Sequence, residues 1–173
     1  LIQNEISCVA EAIEQAARKG MVIAFNPSPF TDTIKDLPLD KVKWLILNKT
    51  EGACISGADE PDAMIKIISA RYPEMNIVIT LGSEGSVCFD GVNTFCQKSF
   101  KVNAVDTTGA GDTFTGYFIA SVAEGREIPE AQKAASAAAA LSVMIKGASV
   151  SIPFRDAVNR FFHDESIYDK ITL

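Results

Sequence analysis

Between residues 21 and 81 the sequence holds three short apolar runs, 21–25, 44–47 and 77–81, separated by stretches whose apolar residues recur at helical spacing. A short strand and a one-faced helix are each stable only when packed on a neighbour, and their alternation along a chain is satisfied by a parallel sheet covered with helices. The expected fold class is therefore α/β, layered, with a mostly parallel sheet. Helices are predicted over 7–19, closed by Gly20; around 51–55, closed by Gly57; and over 61–71, with Asp59 as its cap. Asp90-Gly91 between 86–89 and 94–96 signals an antiparallel hairpin. Phe100, Val102, Ala104 and Val105 suggest a further short strand, 129–146 an alanine-rich helix closing at Gly147, and 154–162 a last helix. With 173 residues, 47% of them hydrophobic, the expectation is one compact domain around one core.

Polar candidates follow the strands: Asn26 after the first, Asn48 and Glu51 after the second, Thr80 to Gly85 after the third. Ligands of open α/β sheets bind beyond the carboxyl ends of the strands, so these groups are expected on one rim. The run Asp106-Thr107-Thr108-Gly109-Ala110-Gly111-Asp112-Thr113-Phe114 adds a glycine-rich turn that opens a helix, with Phe114, Tyr117, Phe118, Ser121 and Val122 on one face up to Gly125. First-turn amides have no intrahelical acceptor and carry the positive end of the dipole, so Gly109, Ala110 and Gly111 suit a phosphate. Asp112 beside them is placed to take the proton of an attacking hydroxyl, which reads as phosphoryl transfer. An aspartate capping an ordinary helix explains Asp112 alone, but not Asp106 on the other side of the glycines. Gly109, Gly111 and Gly116 do not fit G-x-G-x-x-G, and no Walker motif is present.

Two further groups have plain structural alternatives. Asn48 and Glu51 have the spacing of a helix capping box. Thr80, Gly82, Ser83 and Gly85 are able to cradle nucleotide phosphates and ribose through amides and hydroxyls, or simply form a polar turn.

A net charge of −6 argues against nucleic-acid or anionic-membrane partners. The alanine-rich stretch, interrupted by Ser136 and Ser142, is too short to cross a bilayer. Cys8, Cys54, Cys88 and Cys96 form no C-x-x-C, which disfavours a structural zinc site and suits a reduced, cytoplasmic protein. The single histidine, His163, reads as a surface residue and makes Ser-His-Asp catalysis untenable.

The segment from Asn103 to Gly116, Asn-Ala-Val-Asp-Thr-Thr-Gly-Ala-Gly-Asp-Thr-Phe-Thr-Gly, resembles the C-terminal signature of the ribokinase (PfkB-type carbohydrate kinase) family. Gln3-Asn4-Glu5, Asn26-Pro27-Ser28-Pro29, Asn48-Lys49-Thr50-Glu51, Thr80-Leu81-Gly82-Ser83-Glu84-Gly85 and Lys146-Gly147-Ala148 match in the family's order, so the resemblance covers nearly the whole chain. It implies a ribokinase-like layered fold and the C-terminal nucleotide-binding and catalytic portion of a kinase, residues 1–173, with the N-terminal part missing. It also implies an ATP-dependent sugar kinase acting on the 5-hydroxyl of D-ribose, with fructokinase, 2-keto-3-deoxygluconate kinase, nucleoside kinase or an inactive nucleotide-binding homologue as alternatives. Asp112 would be the base and touch the substrate, Glu5 would contact ribose hydroxyls, and Ser136 would face the nucleotide. Asn48 and Glu51 would organise Mg2+ and the phosphates through water. Asp106, Thr108, Ser142, Ile145, Gly147 and Ser151 would surround K+, mostly through carbonyl oxygens. A homodimer is implied for the intact protein.

Overall fold

A computed structural model describes residues 1–163. The described chain divides into two compact units: residues 1–81 with 87–95, and residues 82–86 with those from 96 onward. The sheet has six strands in chain order: β1 (Ile2–Gln3), β2 (Ala24–Asn26), β3 (Trp44–Asn48), β4 (Asn76–Thr80), β5 (Ser86–Phe89) and β6 (Thr94–Gln97).

In the first unit β1 to β4 pair in parallel, joined through α1 (Val9–Arg18), then a pair of 3-10 turns, then α2 (Lys49–Ser56) and α3 (Pro61–Arg71). Leu45 and Leu47 lie in register with Ile77 and Ile79, and together with Phe25, Ile13, Met64 and Ile68 they make one core. Ile46 and Val78 point the other way by strand alternation and are equally buried, as a parallel sheet demands of both its faces. Helix ends follow the local code: Gly57 closes α2 at φ 76°, and Gly20 follows α1 at φ 67°. Pro61 opens α3, but its cap is Glu60, without a side-chain bond, rather than Asp59. β2 begins at Ala24, three residues later than the apolar pattern, because Met21 and Val22 are exposed. A four-residue turn, with the Asp90 N–H on the Asn93 carbonyl at 3.1 Å, joins β5 to β6 as the hairpin signal predicted.

The second unit is built on α4 (Ala110–Ala123) packed against α5 (Ile128–Ser142), with α6 (Arg155–His163) on α5. Alanines 134, 135, 137, 138 and 140 are buried, so the two long helices approach closely, and Phe100, Phe161 and Phe162 close one end. The short strand expected at 100–105 is absent; that segment is loop. α5 ends at Ser142, four residues before the expected Lys146, and the chain turns there. The expectation for the His163 side chain lies outside what is described. Among the described residues no helix is long and apolar enough to cross a membrane.

Candidate active site

In the first unit the strand ends collect the polar groups the sequence singled out. Asn48 and Thr80 are register partners at the carboxyl ends of β3 and β4, and Gln3 pairs with Asn26 at the ends of β1 and β2. The Gln3 amide donates to the Asn26 side-chain oxygen at 3.0 Å, and the Asn26 amide donates to the Ile46 carbonyl at 2.8 Å. Asn4 donates to the Pro29 carbonyl at 2.7 Å and to Thr31, which fixes the segment in front of Glu5; Glu5 itself is exposed. Sequence reading missed the Gln3–Asn26 link, because nothing local marks a bond across 23 positions.

Asn48 and Glu51 form the complete capping box. The Glu51 N–H donates to Asn48 Oδ1 at 2.8 Å and the Asn48 N–H to Glu51 Oε2 at 2.9 Å. Glu51 is only 4% exposed, an unusual place for a carboxylate whose sole task is to cap. The Thr80 hydroxyl donates to the Leu47 carbonyl at 3.2 Å.

In the second unit Gly82, Ser83 and Glu84 form a 3-10 turn with Gly82 at φ 59°. Gly85, at φ 111°, presses on the backbone beside it: a Cβ there would stand 1.9 Å from the Gln97 carbonyl oxygen. Its glycine is thus required by packing, whatever else the turn does. The Ser83 carbonyl accepts the Ser99 hydroxyl. Ser136 lies on the buried face of α5 among the alanines.

The glycine turn of the second unit is the best-defined feature. Gly109 caps α4 in the left-handed conformation at φ 76°, which leaves the amides of Gly111 and Asp112 in the first helical turn. The Ala110 N–H already donates to the Thr107 carbonyl at 3.2 Å, so of the three expected phosphate donors it is engaged in the turn. Asp112 is exposed at the third helical position. Beside it Thr113 is buried, and its hydroxyl has no hydrogen-bond partner among the described residues.

The turn is held against the stretch after α5. The Val143 carbonyl accepts the N–H groups of Val105 at 2.7 Å and Asp106 at 3.1 Å. One oxygen of the Asp106 carboxylate accepts the Thr108 N–H at 3.0 Å and the other accepts the Gly147 N–H at 2.9 Å. These bonds hold its pKa below the ordinary carboxylate value, the Thr108 amide first. A Cβ on Gly109 would meet that of Ala148 at 3.3 Å. The Ser142 and Ser151 hydroxyls donate to the carbonyls of Ala139 and Ala148, at 2.8 and 2.7 Å. Asp106 thus bonds both to Thr108 within the turn and to Gly147, which lies in the segment between Ser142 and Ser151. Ile145 turns with them, its N–H on the Ser142 carbonyl at 3.2 Å and its side chain exposed.

The donor set bears on which groups fit. First-turn amides at a positive helix end suit phosphate oxygens. Among the described residues no three His, Cys, Asp or Glu side chains gather as metal ligands, so a magnesium ion here would be held mainly through water and phosphate. A monovalent cation would find carbonyl oxygens in the turned segment after α5.

A glycine turn opening a helix, with an aspartate in its first turn, suits the binding of a phosphate. The chain belongs to the pfkB family of carbohydrate kinases, whose model matches residues 4–155. Within that family it is similar to ribokinases. It is 34% identical over 165 residues to the ribokinase of Haemophilus influenzae, covering 92% of this chain and 53% of that protein. It is 35% identical over 160 residues to the ribokinase of Bacillus subtilis, covering 91% and 53%. The solved structure of Arabidopsis thaliana ribokinase complexed with ribose and ATP superposes with a TM-score of 0.85 at 30% identity, over 94% of this chain and 55% of that one. The chain therefore has the ribokinase-like α/β fold, and spans about half the length of the curated relatives it matches.

Proposed function

We propose that this chain is the nucleotide-binding and catalytic portion of an ATP-dependent sugar kinase that transfers the γ-phosphoryl group to the 5-hydroxyl of D-ribose. The observation that carries the reading is the α4 turn, with first-turn amides at Gly111 and Asp112 and the Asp112 carboxylate on one helical turn. Asp112 takes the proton of the sugar hydroxyl as that oxygen attacks phosphorus, and the amides after Gly109 hold the negative charge that develops on the phosphoryl oxygens. ATP supplies the transferred group. Asn48 and Glu51 would hold Mg2+ through water, and that ion would neutralise phosphate charge, with Thr80, Gly82, Ser83, Gly85 and Ser136 toward the nucleotide and Glu5 toward the sugar. Carbonyls about Asp106, Thr108, Ser142, Ile145, Gly147 and Ser151 are offered to K+. We place the intact protein in the cytoplasm as a homodimer; its four cysteines are free thiols, in keeping with a reducing compartment.

The test is ADP release by the intact protein over pentoses, hexoses and nucleosides. D-ribose is expected to give the highest kcat/KM; preference for another sugar or a nucleoside reassigns the substrate, and no ADP release with any acceptor removes the kinase reading. Potassium should activate more than sodium at constant ionic strength. Equal rates in potassium, sodium and a bulky organic cation would take K+ out of the site.

A further inference from the structure

We propose that Gln132 is a positioning residue for the nucleotide: its side-chain amide, buried on α5, anchors Ser86 and thereby sets where the turn from Gly82 to Gly85 stands relative to Ser136. The inference rests on the kinase reading above, in which that turn and Ser136 face the nucleotide, and adds to it a pair of residues that need touch no ligand.

Gln132 is 1% exposed and Ser86 2%. The Gln132 amide donates to the Ser86 hydroxyl oxygen at 3.1 Å and, at a longer 3.4 Å, to the Ser86 carbonyl oxygen, across 46 positions of chain. The turn just before Ser86 has two other ties, both to residues at and beyond the end of β6: the Ser83 carbonyl accepts the Ser99 hydroxyl, and Gly85 lies against the Gln97 carbonyl. Gln132 supplies the tie to α5.

Ser136 follows Gln132 by one helical turn on α5 and is buried like it, so the two share a face of the helix. The bond to Ser86 therefore ties the turn to the same face of α5 that carries Ser136. Stability alone does not call for such a pair. An apolar pair of the same shape fills a buried place at almost no cost in stability, whereas a buried hydrogen bond has a length and a direction, and so fixes position as apolar contact does not.

The test uses the intact protein, with ADP affinity read by calorimetry beside the KM values for ATP and D-ribose. Gln132→Leu removes the donor at nearly constant volume; it should weaken ADP binding and raise the ATP KM by about five- to tenfold, the scale of one lost hydrogen bond, with kcat and the D-ribose KM within about twofold. Ser86→Thr and Ser86→Val add the same bulk and differ in a hydroxyl for a methyl, so Ser86→Val should bind ADP about five- to tenfold more weakly than Ser86→Thr. The double variant Gln132→Leu with Ser86→Val makes an apolar pair, expected to melt close to wild type yet to bind ADP no better than Gln132→Leu alone, because both changes remove one bond. ADP binding restored by that pair would mean that packing places the turn, and would overturn the anchor. So would an unchanged ADP affinity in Gln132→Leu, equal affinities in Ser86→Thr and Ser86→Val, or a D-ribose KM that rises together with that for ATP. A wild-type protein that binds ADP but phosphorylates no acceptor loses the kinase reading alone, and the ADP titrations still decide the anchor; one that binds no ADP loses both.

Discussion

Asp112 stands in the first turn of α4, where its own amide and that of Gly111 suit a phosphate, and on the proposed mechanism its carboxylate accepts the proton of the sugar hydroxyl. Asp112→Asn in the intact protein is expected to lower turnover by about 10² to 10⁴, the usual contribution of a general base, while ATP binding stays within a few-fold because the amides remain. Near-normal turnover would remove Asp112 from that role. Cys88 is the counterpart among residues without a proposed task. It is buried in β5, and burial first, then the Asp90 charge, pushes its thiol up to about 12. Since the thiolate is the nucleophile, Cys88 should resist alkylation at pH 8 in the folded protein, while exposed Cys8, Cys54 and Cys96 react. Mass-spectrometric mapping decides it: labelling of Cys88 as fast as the other three would mean that β5 opens in solution.

At the scale of elements, the capping box of α2 separates two readings that the sequence left side by side. Glutamine serves a capping box nearly as well as glutamate, so Glu51→Gln should hold the melting temperature close to wild type, whereas Glu51→Ala should cost about 1 kcal/mol or more. Only a metal role makes the glutamine variant need more magnesium for half-maximal rate. An unchanged magnesium titration would leave Asn48 and Glu51 as a cap and nothing else. α1, α2 and α3 were legible because their signals are local: an apolar stripe, Pro61 at a start, Gly20 and Gly57 after the ends. The end of α5 was not. Helical propensity runs on past Ser142, yet the chain turns where the Val143 carbonyl accepts the N–H groups of Val105 and Asp106, a bond no window around residue 143 reveals. The same two bonds belong to the loop that the apolar pattern at 100–105 had suggested as a strand. Asp106 was legible as an unusual acid, but its bond to Gly147 was not, since the two are distant in sequence.

For the whole molecule, the decisive quantity is how much of a kinase these residues amount to. The chain spans about half the length of the relatives it matches. Leu1, Ile6, Met21 and Val22, in and around the first two strands, are 51 to 75% exposed. Exposed apolar residues favour association. Phosphoryl transfer to a sugar rather than to water also requires that the acceptor be held in line and water excluded, which takes contacts on several sides of the sugar. Of the groups proposed here for the sugar, only Glu5 and Asp112 are side chains, and both are exposed. The 173-residue chain expressed alone is therefore expected to bind nucleotide weakly at best, to self-associate, and to release no ADP in response to ribose. Light scattering and a coupled ADP assay on the same preparation check both expectations. Ribose-dependent ADP release from a monomeric preparation, free of longer kinase, would show that these residues hold a working sugar site by themselves and would overturn both expectations.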